Sequence, residues 1–176
     1  MPVFHTPVLL DETLELLAPV PGGTYLDGTV GGAGHAAAVC ERIGRDGTLI
    51  GLDRDAEAIE QARQELARCP GRVVLVQANF RDLKSVLDKE SIGRLDGVVL
   101  DLGVSSHQLD TARGFAFSRD EELDMRMGRD EDIPTAADIV NSYTEKDLAD
   151  LIFLYGEDRN ARRIAKAIVR ARQAKP

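Results

Sequence analysis

The chain of 176 residues has little of several features, and each shortage excludes a class of protein. Only two cysteines occur, Cys40 and Cys69, without metal-type spacing or a nearby histidine. We expect them to be reduced packing residues, and we predict no metal site. No stretch approaches the roughly 18 apolar residues of a membrane span. The beginning of the chain lacks the basic-then-apolar pattern of a secretion signal, so we expect a cytoplasmic protein.

Acidic residues are missing from one segment although they dominate the rest of the chain. The formal net charge is −8, which argues against a nucleic-acid partner. Residues 159–176, however, hold seven basic residues and no acidic one, and the remainder carries 15 basic and 30 acidic residues. A basic segment on an acidic body suggests a partner with separate positive and negative requirements. A solvated helix face explains the same pattern equally well.

The first part of the chain alternates apolar runs with helix-period segments. Continuous rather than alternating apolar runs are typical of strands buried on both faces of a parallel sheet. The order β-α-β-α-β-α-β predicts an α/β fold with right-handed crossovers. The four predicted strands are Tyr25–Leu26, Thr48–Leu52, Val73–Val76 and Val98–Leu100.

Other signals predict where the helices begin and where the fold changes. Thr6 and Pro7 suit the N-cap and first position of a helix, and His5 is expected to be structural. Beyond residue 106 the strand pattern ends, which predicts an incomplete sheet domain over 1–106 and a helical subdomain over 107–176. Thr135 and Thr144 each precede an Asp by three residues, as in a capping box. A last helix is predicted from about Glu157, with Ala161, Ile164, Ile168 and Ala171 as its apolar stripe.

Glycines follow the first strand, in the segment from Asp27 to His35. Glycine at such a turn lets the backbone approach a ligand closely, and residues 32–37 match G-x-G-x-x-A. That pattern is weak by itself. Asp53 ends the second strand, 19 residues after Gly34, where a carboxylate can accept hydrogen bonds from both ribose hydroxyls. Together these features favour an adenosine-containing cofactor over a tight turn with a capping Asp.

Three carboxylates distinguish between the candidate cofactors. Asp27, Asp53 and Asp101 each end a predicted strand, at the sheet edge where α/β proteins bind ligands. Asp27 would repel a pyrophosphate and attract a sulfonium or ammonium group. The arrangement therefore favours S-adenosylmethionine over NAD, and an NAD-dependent oxidoreductase remains the rival enzyme class. A non-catalytic RNA- or cofactor-binding module is the second alternative.

The whole chain resembles the ribosomal RNA small subunit methyltransferase H (MraW) family. The most specific motifs are Asp-Leu-Gly-Val-Ser-Ser at 101–106 and Leu-Asp-Met-Arg-Met at 123–127. Others occur in the same order, at residues 5–10, 27–29, 31–35, 53–55, 79–81 and 155–157. The resemblance implies a Rossmann-like class I methyltransferase fold with a helical insert. It also implies methyl transfer from S-adenosylmethionine to the exocyclic N4 of one cytidine in 16S ribosomal RNA.

The resemblance also implies which residues contact the cofactor and the substrate. Phe80 would lie beside the adenine, Asp53 at the ribose, and Asp101 and Gln108 near the methionine end. Asp101 is the expected catalytic residue, as acceptor for the cytosine amine, although a cofactor-binding role alone is equally compatible. An unperturbed Asp pKa of about 3.9 is low for a strong general base. The predicted cofactor-binding residues are Ala33, Gly34, His35, Asp53, Phe80, Asp101 and Gln108.

The sequence departs from the family pattern in three places. An acidic residue usual before Arg113 is missing, and Ala116 stands where Ser is common. The chain ends at Pro176 where family members continue, so we expect a chain truncated at its C-terminus. The expected partner is 16S ribosomal RNA in the small subunit, with no membrane, and a homodimer is allowed. Arg159, Arg163, Lys166 and Arg170 share one predicted helix face that could contact RNA phosphates.

Overall fold

A computed structural model describes residues 7–105, 108–109, 111–129 and 131–174. His5 and Thr6, Ser106, and Lys175, on which predictions above fall, lie outside the described residues. The chain divides into two compact units, Met1–Gln108 with Met127–Arg129, and Leu109–Arg126 with Asp130–Pro176. The division into a sheet domain over 1–106 and a helical subdomain over 107–176 stays a prediction.

The first unit is built on a parallel four-stranded sheet. Its strands are β1 (Thr24–Asp27), β2 (Thr48–Asp53), β3 (Arg72–Gln77) and β4 (Gly97–Val99). They lie in the order β3-β2-β1-β4, and all pairs are parallel. The predicted α/β class and the four strands are therefore confirmed.

Helices cover both faces of this sheet. Strand side chains alternate between the two faces, so each face presents apolar residues to the helices. Tyr25 and Leu49 point to one face, into a core formed with α1 (Leu10–Leu17), α2 (Gly34–Ile43) and α3 (Ala56–Glu65). Leu26 and Ile50 point to the other face, where they pack with α4 (Leu83–Lys89). Short 3₁₀ turns occur at Leu66–Arg68 and Phe80–Asp82.

Helix α1 begins later than the sequence predicts. It starts at Leu10, after Leu9 in a left-handed conformation with φ 54°, rather than at Pro7. Pro7 does not occupy the first helical position and packs instead against the backbone of Gly34, where a β-carbon would lie 2.9 Å from the proline ring. The predicted burial also fails at β4, which pairs with β1 alone among the described residues, so that Val98 and the following Leu100 are exposed.

Cys40 and Cys69 meet between α2 and the segment that precedes β3. The structure joins them by a disulfide, with their Cα atoms 5.8 Å apart, so the expectation that both are reduced is wrong. Cys40 is buried in the core cluster, as expected of a packing residue, and Cys69 packs against the same cluster. The sequence spacing of 29 residues gave no sign that the two side chains adjoin.

The second unit contains three helices among its described residues, α5 (Ala136–Ser142), α6 (Glu145–Gly156) and α7 (Ala161–Arg172). Thr135 forms the predicted capping box with Asp138, and the Thr144 side chain caps α6. The last helix starts at Ala161, because Glu157 adopts φ 52° and ends α6. The helices pack through Ile139, Leu148, Ala149, Ala165, Ile168 and Val169.

The Leu-Asp-Met-Arg-Met motif supports the start of α5. The Asp124 carboxylate and the Arg126 guanidinium form two hydrogen bonds, of 2.6 and 3.1 Å. The backbone N–H groups of Ala136 and Ala137, at the first turn of α5, donate to the carbonyls of Asp124 and Leu123. The motif therefore satisfies donors that a helix N-terminus leaves without intrahelical partners.

Candidate functional site

A cleft of about 300 Å³ lies at the carboxyl ends of the strands in the first unit. Parallel sheets bind ligands at this edge. Six of the seven predicted cofactor residues line the cleft: Gly34, His35, Asp53, Phe80, Asp101 and Gln108. The seventh, Ala33, is fully buried at the turn that forms one wall. The structure therefore brings together residues from four separate loops.

The glycine-rich loop after β1 is held in a tight left-handed turn. Gly31 has φ 47°, and Ala33 has φ 63°, a conformation that disfavours side chains larger than glycine. The Ala33 N–H donates to the Val30 carbonyl at 2.7 Å, which closes the turn before α2 begins. At Gly28 a β-carbon would lie 2.5 Å from Leu100 and 3.2 Å from Phe80, so glycine permits close packing there.

His35 has a structural partner inside this wall. Its Nε2 atom lies 3.0 Å from the Val8 carbonyl oxygen, which can only accept, so Nε2 carries the hydrogen. The ring is buried, and Pro7 and Val8 line the cleft beside it. The residues before α1 are thus tied to the first turn of α2. The sequence did not reveal this role, because the two residues are 27 positions apart.

Asp53 supports the loop as well as facing the cleft. Its Oδ2 accepts a 2.9 Å hydrogen bond from the Gly31 N–H, and its Oδ1 accepts one of 2.9 Å from Asp55. Burial raises the pKa of Asp53, and these backbone hydrogen bonds oppose the increase. The Arg54 N–H also donates to this carboxylate, so three of its roughly four lone-pair sites are occupied and the remaining one can accept from a ribose hydroxyl.

Phe80 lies at the cleft rather than in the core. The ring belongs to the 3₁₀ turn after β3, and its side chain is 38% exposed. The Asn79 side chain accepts from the Arg81 N–H at 3.0 Å and fixes this turn. An aromatic ring left accessible on a cleft wall offers an apolar face to a flat heterocycle.

Asp27 is buried behind the loop. Its pKa is raised from 3.8 to about 6, chiefly by desolvation and to a smaller extent by the neighbouring charges of Asp53 and Asp101. The Thr29 N–H, which donates to Asp27 Oδ1 at 3.1 Å, and His35 oppose this increase. Ionisation of Asp27 is thus unfavourable in the folded protein, and a cation in the cleft would stabilise the ionised form.

Thr29 links the Asp27 carboxylate to the backbone of Asp101. Its Oγ1 accepts from the Asp101 N–H at 2.7 Å and lies 3.5 Å from Asp27 Oδ1. The hydroxyl therefore joins the end of β1 to the residue after β4, and it places the backbone of Asp101. Sequence reasoning missed Thr29, since nothing in an Asp-Gly-Thr turn points to a partner 72 residues away.

Gln108 closes the loop that follows Asp101. Its Oε1 accepts from the Ser105 N–H at 3.0 Å, and its own N–H donates to Ser105 Oγ at 3.1 Å. The side-chain Nε2 lies 3.5 Å from the Met127 carbonyl, which also lies on the cleft wall. The buried Gln108 thus fixes the loop at 103–105, a role compatible with the predicted cofactor contact.

The Thr29 bridge leads to a test on stability. Thr29→Val should lower the free energy of unfolding by about 1 kcal/mol, because the Asp101 N–H loses its acceptor. Thr29→Ser keeps the hydroxyl and should lose less than half as much. Urea denaturation of the two variants and the unaltered protein compares them directly. Equal losses for Val and Ser would mean that the hydroxyl contributes nothing.

Taken together, the sheet order, the glycine turn after β1 and the acidic residue that ends β2 define a Rossmann-like fold of the class I methyltransferase type. Helices lie on both faces of the sheet, and the cleft lies at its carboxyl edge.

The chain belongs to the MraW methylase family, which it matches over residues 2–176. It is 53% identical over 173 residues to a protein of Magnetococcus marinus named ribosomal RNA small subunit methyltransferase H. A protein of the same name from Nitratidesulfovibrio vulgaris is 54% identical over 173 residues. Each alignment covers 98% of this chain, and 55% and 48% of the respective relative. The chain thus spans about half the length of the relatives it matches.

In the part of the chain that the structure describes, no helix has both the length and the apolar character needed to cross a membrane.

Proposed function

We propose that the protein transfers a methyl group from S-adenosylmethionine to the exocyclic N4 of a cytidine in 16S ribosomal RNA. Membership of the MraW methylase family supports this function. The observation that carries the proposal is the cleft, which gathers Asp53, Phe80 and Asp101 beside a glycine turn.

The donor set of the cleft fits S-adenosylmethionine better than a dinucleotide. Asp27, Asp53 and Asp101 place three carboxylates near one edge of the sheet, and the charges of Asp53 and Asp101 raise the pKa of Asp27. A sulfonium and an ammonium group would relieve that repulsion, and a pyrophosphate would add to it. Asp53 would hold the ribose hydroxyls, and Phe80 would face the adenine. His35 and Gln108 would support the loops around the methionine end.

When bound, S-adenosylmethionine supplies an electrophilic methyl group on its sulfonium. The cytosine amine is a poor nucleophile, because its lone pair is delocalised into the ring. Asp101 lines the cleft with an exposed side chain, so its carboxylate can accept a hydrogen bond from this amine and orient it. Such positioning can contribute roughly 7–11 kcal/mol to lowering a barrier. Asp101, or water in the cleft, would take the proton that the amine gives up on methylation.

The nucleotide must leave its stack before the amine can enter a cleft at the sheet edge. Ribosomal RNA as the substrate fits the predicted cytoplasmic location. We retain the small ribosomal subunit as the proposed form of the substrate, and a homodimer as an assembly that light scattering can test.

Two measurements test the proposed function. Calorimetric titration should give binding of S-adenosylmethionine and none of NAD. Small ribosomal subunits incubated with methyl-labelled S-adenosylmethionine should yield N4-methylcytidine after digestion to nucleosides. The assay is best run on this chain beside the full-length protein. Binding of NAD instead would identify an oxidoreductase, and cofactor binding without methyl transfer in either protein would identify a binding module.

Asp53 is the residue whose loss should weaken cofactor binding most directly. Asp53→Ala removes a charged acceptor from the ribose, so affinity for S-adenosylmethionine should fall by about tenfold, using the lower end of 1.5–3 kcal/mol for such a hydrogen bond. Asp46→Ala, at an exposed turn, is the control and should bind normally. Unchanged affinity in a folded Asp53→Ala protein would contradict the ribose assignment.

A further inference from the structure

The outward side of α7 is a basic surface, which consists of Arg162, Arg163, Lys166 and Arg170. All four side chains are exposed. Arg162, Lys166 and Arg170 follow one another at four-residue steps, and Arg163 lies beside them, so the four occupy one side of the helix. A four-residue step rises about 6 Å along the axis, so the charges form a row rather than a single cluster. The predicted set included Arg159, which instead precedes the helix in a turn.

This surface gathers four exposed basic residues on one side of a helix without an acidic partner among the described residues. Elsewhere basic residues pair along their own helices, as Lys84 does with Asp88 at 2.8 Å and Lys146 with Asp150 at 2.6 Å. Within the described ranges, none of the four α7 residues has a carboxylate within 4.0 Å. In a chain with 30 acidic residues, an unneutralised row of cations favours a separate anionic partner.

The opposite side of α7 is already used within the second unit. Ala161 and Ala165 are buried, and Ile168 and Val169 pack with residues of α5 and α6. Arg172 donates to the carbonyls of Val140 and Tyr143 at 2.6 and 2.7 Å, which attaches the end of α7 to the end of α5. The apolar side is therefore not free to enter a lipid surface, as an amphipathic membrane helix requires. Arg172 also differs in function from the four outward residues.

We infer that this basic surface binds the phosphate backbone of the RNA substrate. The inference rests on the proposed function, and it assigns RNA binding to a surface of the second unit. Guanidinium groups suit phosphates because they donate two parallel hydrogen bonds, and three of the four residues are arginines. Backbone contacts of this kind carry no sequence information, so they would orient the RNA and leave the choice of base to the cleft.

The experiment compares two variants that lose the same charge. One replaces the surface, as R162Q/R163Q/K166Q/R170Q. The other, R42Q/R45Q/R68Q/K89Q, removes four exposed basic residues of the first unit, on separate elements from α7. Binding of a fluorescent single-stranded oligoribonucleotide is measured by anisotropy across a salt series. Loss of four contacts should make the slope of log affinity against log salt shallower by about 3, at roughly 0.7 per phosphate.

The control variant R42Q/R45Q/R68Q/K89Q should keep nearly the same slope of log affinity against log salt as the unaltered protein. Equal slopes for all three proteins, or equal changes in the two variants, would overturn the inference. So would salt-dependent binding to phosphatidylserine vesicles without binding to the oligoribonucleotide. If the fourfold variant does not fold, R162Q/K166Q and R163Q/R170Q should each give about half the slope change.

A titration with S-adenosylmethionine separates this inference from the proposed function. Cofactor binding should be the same in the unaltered protein and in both variants, because the substitutions lie outside the cleft. Normal cofactor binding with an unchanged salt slope overturns only the inference that the basic surface binds RNA. Absence of cofactor binding from the unaltered protein overturns the proposed function, and with it the inference that rests on it.

Discussion

Asp27→Asn should make the protein without cofactor more stable at neutral pH and should weaken its binding of S-adenosylmethionine. Burial raises the pKa of Asp27 from 3.8 to about 6, so the folded state holds its proton more tightly than the unfolded state. The stability from this proton is fully present below pH 3.8 and is lost as the pH rises to about 6. The difference corresponds to about 3 kcal/mol at pH 7.

Denaturant unfolding at a series of pH values measures this effect. The unaltered protein should lose stability between pH 4 and 6, while Asp27→Asn should lose about 3 kcal/mol less over that range. Asp46→Asn, which removes an exposed carboxylate, should follow the unaltered protein. Parallel curves for Asp27→Asn and the unaltered protein would show that folding does not raise the pKa of Asp27.

Cofactor binding should respond to the same residue in the opposite direction. A cationic ligand favours the ionised carboxylate, so the affinity of the unaltered protein should rise as the pH passes about 6. Asp27→Asn should lack this rise and bind more weakly at pH 7. If Asp27→Asn is more stable and also binds S-adenosylmethionine more weakly, the ionised Asp27 carboxylate destabilises the fold but promotes cofactor binding.

Asp101→Asn should lower the methylation rate by about a hundredfold, the lower range for loss of a positioned proton acceptor. Cofactor affinity should fall far less than the rate. The substitution isolates the side chain, because the Asp101 N–H still donates to the Thr29 hydroxyl and keeps the backbone in place. The full-length protein with small ribosomal subunits is the system for the rate, and calorimetry gives the affinity.

The ratio of the two losses decides the role of Asp101. A fall in rate much larger than the fall in affinity means that the carboxylate acts on the cytosine amine. Equal losses mean that it binds the cofactor only. Thr29→Val is a useful comparison, because it leaves the carboxylate intact and disturbs its placement.

The sheet could be predicted from the sequence because burial and strand pattern agree there. The core strands β1 and β2 are mostly buried, and their bounds differ from the prediction by at most one residue at each end. The predicted burial of β4 was wrong, because an apolar run does not show whether its strand lies at the edge of the sheet, as β4 does among the described strands. The start of α7 misled because Glu157 adopts a left-handed conformation that no local residue preference requires.

The cleft was predictable only as a set of strand ends. Asp27, Asp53 and Asp101 each follow an apolar run, and parallel strands bring such residues to one edge. The contacts that hold them are tertiary, as with the Thr29 hydroxyl on Asp101 and the Asp53 carboxylate on Gly31. No spacing encodes them. The cofactor-binding and catalytic roles of these residues stay predictions.

The attachment of Pro7 and Val8 to the first turn of α2 bears on how the protein can be handled. The Pro7 ring lies against Gly34, and the Val8 carbonyl holds the His35 ring, so both residues form part of the cleft wall. An affinity tag, a fluorescent fusion or a surface anchor joined just ahead of Pro7 adds bulk directly beside that wall. Labelling at exposed side chains of α4, which do not line the cleft, leaves the wall undisturbed.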